Sequence, residues 1–573
     1  MRAPLPALAV LLAIAPGVAP AQEGIARTKH NLSALGPGPL TSSTEREICV
    51  FCHVPHGGGP RGTNRPDPRS SYQPYQSSTL RSKARGPSGA SRICLSCHDG
   101  TIALGETAAR GNIPMLAGVN RLGPERRSNL GGDLRRTHPV SLEPPLAKDL
   151  RAPAQGDKVT LSSESRVECT SCHDPHEDGM DPVEGKFLVK SNRASAICLS
   201  CHADPAWTSN PSAHESSGAR YDASRGAATP YATVAENGCA ACHQTHNAQS
   251  PSRLLRDDGS QLCLSCHDGR VASKDVRAEV AKAFAHGVLS DPSLHDAAER
   301  PEDPRWPLPE TRSSAPRHVQ CVDCHEPHAA FRQDAMAPRA KGVLFGTWGI
   351  DRAGLEVRPV RNEYELCFKC HGDSANRPQR AVGGTLRPSP NLREAMDLGA
   401  ASFHPVEGPG RSQDVPGLVS PLSASSVIYC SDCHAPDDGP GAGGAGPAGP
   451  HGSIWPGLLE RQYSTTDYLP ESPQAYALCY KCHDRATLYS SRSGFPSHDR
   501  HVRVENVPCI GCHDSHGISA LDGNALNNAH LVRFDPGIVR ATASGALRYL
   551  SQGPRHGTCE LACHGATHAP RTY

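Results

Sequence analysis

Apolar residues are sparse along this chain, and their one continuous run lies at its start. Arg2 is followed by an apolar stretch from Leu5 to Ile14 and then by the small residues Gly17, Val18, Ala19, Pro20 and Ala21. A charged beginning, a short hydrophobic middle and an Ala-x-Ala ending predict a secretory signal over 1–21. No later stretch reaches the 18 or so apolar residues of a membrane-spanning helix, so the pattern predicts an exported chain with no transmembrane segment of its own. The first cysteine, Cys49, lies too far beyond the signal to be lipidated. Elsewhere the pattern predicts short α-helices, almost no sheet, and irregular backbone well above the ordinary share of about 40%.

Composition sharpens this. In 573 residues, Leu, Ile, Val and Phe together make up only about 17%, too little for a large side-chain core. Disorder would require charge imbalance as well, and 59 basic residues face 58 acidic ones. The same balance argues against a nucleic-acid partner, which would call for a basic surplus. A group other than side chains must therefore fill the interior.

The cysteines identify that group. Eleven segments read Cys-x-x-Cys-His: Cys49, Cys52 and His53; Cys94, Cys97 and His98; Cys169, Cys172 and His173; Cys198, Cys201 and His202; Cys239, Cys242 and His243; Cys263, Cys266 and His267; Cys321, Cys324 and His325; Cys367, Cys370 and His371; Cys430, Cys433 and His434; Cys479, Cys482 and His483; Cys509, Cys512 and His513. A twelfth, Cys559, Cys563 and His564, carries one extra residue. All 24 cysteines are used. This is the attachment pattern of c-type haem: two thioethers tether the ring, and one helical turn brings the adjacent imidazole to the same side. Zinc knuckles and disulfides leave the invariable trailing histidine unexplained. The longer last motif must bulge to keep both bonds and the iron contact.

Eighteen of the 30 histidines remain. Methionine cannot serve as the general second iron ligand, because only Met115, Met180, Met336 and Met396 follow the signal. Five histidines fall three residues after a motif histidine: His56, His176, His246, His328 and His516. Such a close imidazole is expected to reach a neighbouring iron. An upstream set comprises His30, His138, His214, His286 and His404. After His434 the close histidine is missing, and His451 is expected to replace it. His498 and His501 compete for the last upstream role, while His530, His556 and His568 are each candidates for the final iron. His295 and His318 are unassigned. No catalytic residue is identified.

These elements form a repeat of upstream His, Cys-x-x-Cys-His-x-x-His, spacer and second Cys-x-x-Cys-His. It occurs six times and predicts haem pairs over 22–125, 126–205, 206–275, 276–385, 386–490 and 491–573. Segments 104–137 and 376–396 read as linkers. Through stretches such as Cys169-Thr-Ser-Cys-His-Asp-Pro-His176, with a second motif from Ile197 to His202, the chain resembles multihaem c-type cytochromes of the doubled CXXCH motif family. Its tail from His501 to Tyr573 is similar to large cytochromes of metal-reducing bacteria. The resemblance implies about twelve haem c groups, mostly bis-histidine, closely packed in an extended molecule. It implies electron transfer in periplasmic, outer-membrane or extracellular respiration. Its partners would be other redox proteins, a porin–cytochrome complex or an extracellular acceptor. A multihaem reductase of a small nitrogen or sulfur oxyanion is the alternative, and would need an open iron. A homo-oligomer or haem-stacked filament is compatible with either.

Each haem adds two propionates. Twelve oxidised haems would take the formal charge from +1 to about −11. Arginine, 48 of the 59 cations, has the planar fork that pairs with carboxylates, although codon composition accounts for the excess equally well. The haem-loaded protein is therefore expected to focus below the sequence isoelectric point of 7.6. A higher value on isoelectric focusing would contradict the haem count.

Overall fold

The computed structural model describes residues 24–573 apart from 55–64, 66–70, 78–79, 119, 148, 209–211, 222–229, 290–318, 374–379, 383–384 and 388–390. The signal over 1–21, His56, His295 and His318 lie outside the described residues. The chain forms two units: Met1–Asp204 with Glu236–Leu255, and Pro205–Ala235 with Arg256–Tyr573. Helices are short; Gly89–His98 and Glu363–His371 run ten and nine residues. Among the described residues no helix is long and apolar enough to cross a membrane.

Most motifs wind a single turn. Cys169–Cys172 and Cys321–Cys324 are one-turn α-helices, and Cys49–Phe51, Cys198–Ser200, Cys430–Asp432 and Cys509–Gly511 are 3₁₀ turns. In each the histidine N–H donates to the carbonyl of the first cysteine, for example His53 to Cys49 at 2.9 Å and His202 to Cys198 at 2.8 Å. So short a helix is marginal alone and depends on its caps. Residue 168 illustrates this. Buried Glu168 accepts from the Ser171 amide in a capping box and, across the unit, from the Ser91 amide and hydroxyl and the Ser141 hydroxyl. The carboxylate thus joins helix Gly89–His98 to the next motif. Glu168→Ala would strand these donors at about 1–3 kcal/mol. It is expected to lower hydrogen-exchange protection over 89–98 and 169–173 while leaving distant motifs unchanged.

Apolar packing is dispersed. Val50, Phe51 and Ile113 form one cluster, Val159, Leu188 and Ile197 another, and Tyr364, Phe368, Met396 and Val406 a third. Motif cysteines border them: Cys172 and Cys201 in the second, Cys430 in the third. Segment 104–137, expected to be a linker, packs instead, burying Leu104, Ile113, Leu122 and Leu134. Its irregular carbonyls are satisfied by the buried Arg65 guanidinium, which donates to Ala103, Leu104 and Glu106 at 3.0, 2.9 and 2.8 Å. Within 376–396 the described end is likewise structured: Leu392–Ala395 is a helix capped by Asn391, with Ala395 and Met396 buried.

The largest sheet lies at the C-terminus, where short helices were the expectation. Strands β1 (Val539–Arg540), β2 (Arg548–Ser551), β3 (Gly557–Cys563) and β4 (Ala566–Thr572) are antiparallel in the order β1-β3-β2, with β4 also pairing β3. The twelfth motif is therefore on a strand. His564 and Gly565, at φ 47° and 76°, form the two-residue β3–β4 turn, where positive φ at both positions matches the strand twist.

Candidate functional site

Two imidazoles on opposite sides of one iron have ring centres about 6.4 Å apart, given metal–nitrogen bonds of about 2.0 Å and a ring radius of roughly 1.2 Å. Nine motif histidines face a non-motif histidine at nearly this separation. In the first unit these are His53 with His176 at 6.2 Å, His98 with His30 at 6.1 Å, His173 with His246 at 6.1 Å, and His202 with His138 at 6.3 Å. In the second, His267 faces His214 at 6.1 Å, His325 faces His451 at 6.1 Å, and His371 faces His286 at 6.4 Å. His434 faces His516 at 5.9 Å and His513 faces His498 at 6.3 Å. His483 lies beside His404, whose charge adds to burial in depressing it.

A rule runs through these pairs. Upstream His30, His138, His214 and His286 face the second motif of their own repeat, close His176, His246 and His516 face the first motif of the preceding one, and His498 departs by facing the first motif of its own repeat. His451 follows the close-histidine rule although it sits 17 residues beyond His434. A short ladder explains how. Gly452 and Ser453 pair with Ala285 and Phe284, next to His286, just as Gly517 and Ile518 pair with Phe403 and Ser402, next to His404. Glycine is required after His451, because a Cβ on Gly452 would lie 1.8 Å from the Glu279 carbonyl oxygen. The rings of four upstream histidines donate from Nδ1 to the residue just before the neighbouring close histidine, or before His451: His30 to Pro175 at 3.1 Å, His214 to Pro327 at 3.1 Å, His286 to Pro450 at 2.8 Å, and His404 to Ser515, whereas His138 donates to Pro139 at 3.1 Å.

The motif histidines are oriented in the same way. Nδ1–H donates to a backbone carbonyl from His98 to Ser128 at 2.8 Å, His173 to Lys186 at 2.8 Å, His243 to Arg253 at 2.9 Å, His325 to Val343 at 3.0 Å, His434 to Gly457 at 2.9 Å and His513 to His530 at 2.9 Å. Such a bond fixes the tautomer and leaves the Nε2 lone pair for a metal. Burial also keeps the rings neutral, as a ligand must be. It lowers His246 and His498 to about 3, and His138, His267, His371, His451 and His483 to about 4.

The thiols connect consecutive motifs. All 24 are free. At every junction between repeats the second motif's first thiol lies within hydrogen-bonding reach of the next repeat's: Cys94 and Cys169, Cys198 and Cys239, Cys263 and Cys321, Cys367 and Cys430, Cys479 and Cys509. Within repeats Cys52 adjoins Cys97, Cys172 adjoins Cys201, Cys433 adjoins Cys482, and Cys512 adjoins Cys559 and Cys563. Motifs that follow in sequence thus follow in space within each unit.

This donor set fits tethered tetrapyrroles: paired thiols for the vinyl groups, then two neutral imidazoles. Buried Nδ1 atoms of His246 and His451 without a hydrogen-bond partner are also as expected around a group that completes the interior. The remaining candidates make other contacts. His328 packs on Trp207 at 6.2 Å and lies 3.4 Å from Glu326. His530 bonds the Ser412 hydroxyl through its ring at 3.2 Å and serves His513 through its carbonyl. His556 is exposed. His501 faces His568 at 6.0 Å. His568 was only one of three alternatives in the sequence, because nothing in its local spacing singles it out.

Comparison with known proteins agrees with these motifs. The family described as Doubled CXXCH motif matches residues 164–206 and 232–272, covering the second and third repeats. A protein described as multiheme cytochrome MtrA, from Shewanella baltica (strain OS185), is 23% identical over 228 residues, 38% of this chain. The matched part spans 60% of that protein's length. These findings support the resemblance to multihaem c-type cytochromes of metal-reducing bacteria, and the matched motifs indicate covalently bound haem c.

Proposed function

We propose that this chain is an electron conduit carrying about twelve haem c groups, mostly with two histidine ligands, in a succession that follows the sequence within each unit. Its setting is anaerobic respiration in the periplasm, at the outer membrane or outside the cell. Its partners are other redox proteins, a porin–cytochrome complex or an extracellular acceptor. The single observation that carries the reading is the set of nine motif histidines facing a second histidine at 5.9–6.4 Å, a spacing that suits six-coordinate iron.

When bound, the haems supply the redox change. The chain's own residues do the rest. Thiols would tether each ring, backbone carbonyls orient Nδ1–H, and the facing buried imidazoles would both ligate the iron and so keep substrate from it. Bis-histidine ligation gives lower potentials than histidine–methionine ligation, so a broad, low window is expected. The test is the purified haem-loaded protein examined by electron paramagnetic resonance and, after reduction, by carbon monoxide titration. Low-spin spectra with little carbon monoxide uptake support the conduit. A stoichiometric high-spin, carbon monoxide-binding haem that turns over a nitrogen or sulfur oxyanion would replace it with the reductase.

A further inference from the structure

The twelfth motif departs from the other eleven in more than length. Its cysteines are on β3, where alternation puts Cys559, Leu561 and Cys563 on one face. His568 on β4 is the cross-strand partner of Leu561 and shares that face. The motif's own histidine does not follow the pattern of the others. His564 occupies the hairpin turn, and both of its ring nitrogens are engaged. Nδ1 meets the Glu505 carbonyl at 3.0 Å, and Nε2 meets the two Asp467 carboxylate oxygens at 3.0 and 3.1 Å. The ring also stacks on Tyr468, with centres 4.0 Å apart. Six of the other motif histidines, His98, His173, His243, His325, His434 and His513, spend Nδ1 on a carbonyl, which leaves Nε2 for a metal.

His501 offers what His564 lacks. It sits on a π-helical turn, Asp499–Val504, a form found often at functional sites. Its Nδ1 is held by the Ser497 carbonyl at 2.8 Å, and its ring centre lies 6.0 Å from that of His568. That separation is the one shared by the nine pairs above, yet neither member comes from a Cys-x-x-Cys-His motif. Resting on the haem reading of the preceding section, we infer that the iron of the tetrapyrrole tethered at Cys559 and Cys563 is ligated by His501 and His568. His564 is a positioning residue that anchors the hairpin turn to Glu505 and Asp467. The physical reason is the extra residue: a three-residue gap between the thiols does not close the one-turn winding that delivers the adjacent imidazole, and the strand delivers a cross-strand imidazole in its place.

The test uses the haem-loaded full chain and three variants, His568→Ala, His501→Ala and His564→Asn. Intact mass counts attached haems; spin state and carbon monoxide uptake count open irons. In the wild type, a mass without haem would sink the haem reading itself, separately from this assignment. With haem present, His568→Ala and His501→Ala are each expected to convert one haem in about twelve to a high-spin, carbon monoxide-binding form. His564→Asn should leave all attached haems low-spin, whether or not it slows attachment. A fully low-spin His568→Ala protein with its haem count unchanged would overturn the assignment. So would an open iron appearing in His564→Asn.

Discussion

Made in a host that cannot attach haem, the mature chain is expected to lack a compact fold altogether. Its side-chain clusters hold only three or four buried apolar residues each. A fully buried apolar side chain contributes about 1.5–3 kcal/mol, whereas ordering each residue costs about 1–2 kcal/mol in backbone entropy. Clusters this small cannot hold long stretches of irregular backbone. Tethered porphyrins would supply the missing apolar surface, and two axial bonds each would join segments far apart in sequence, as metals do in small metal-dependent domains. Small-angle scattering of the haem-free chain should approach the roughly 90 Å radius of gyration of an unfolded chain of this length. Its backbone amides should exchange without protection. A haem-free chain that stayed compact and protected would refute the view that cofactors form the interior.

The second large effect is expected at His451. Replacing it with alanine should open the iron held by His325, giving one high-spin, carbon monoxide-binding haem in about twelve and leaving the other sites low-spin. His451→Met should keep that haem six-coordinate but raise its potential by on the order of 100 mV, since methionine ligation favours the reduced state. Redox titration followed by absorption would resolve one component moving away from the low-potential group. If His451→Ala leaves every haem low-spin, a residue other than His451 faces His325 in the loaded protein. The position is informative because the sequence breaks its own rule there: His434 is followed by Ala435, Pro436 and Asp437, with Asp437 where another repeat would place a close histidine. The ladder from Gly452–Ser453 to Phe284–Ala285 brings a distant histidine to the same place.

Attachment chemistry was legible without coordinates because it is local. A thioether pair and an adjacent imidazole need only one helical turn, so spacing along the chain specifies them. The close histidines were recognisable by their offset of three, and the scarcity of apolar side chains raised the expectation of a non-protein interior. Two expectations failed for reasons that lie outside local spacing. Segment 104–137 looked like a linker because its apolar residues have no period, yet the buried Arg65 satisfies its carbonyls and allows it to pack. The strand under Cys559 and Cys563 depends on pairing with Arg548–Ser551 and Ala566–Thr572, which a search for helical turns does not reveal.

By itself the sequence determined which residues can be tethered, how many motifs there are and which side chains can ligate iron. Only the tertiary structure decided which histidine faces which, since facing rings such as those of His30 and His98 or His325 and His451 lie 68 and 126 positions apart. Covalent attachment acts over one turn of backbone and leaves its mark in spacing. Axial partnership acts across space, through ladders, carbonyl contacts and burial that assemble only when the chain folds.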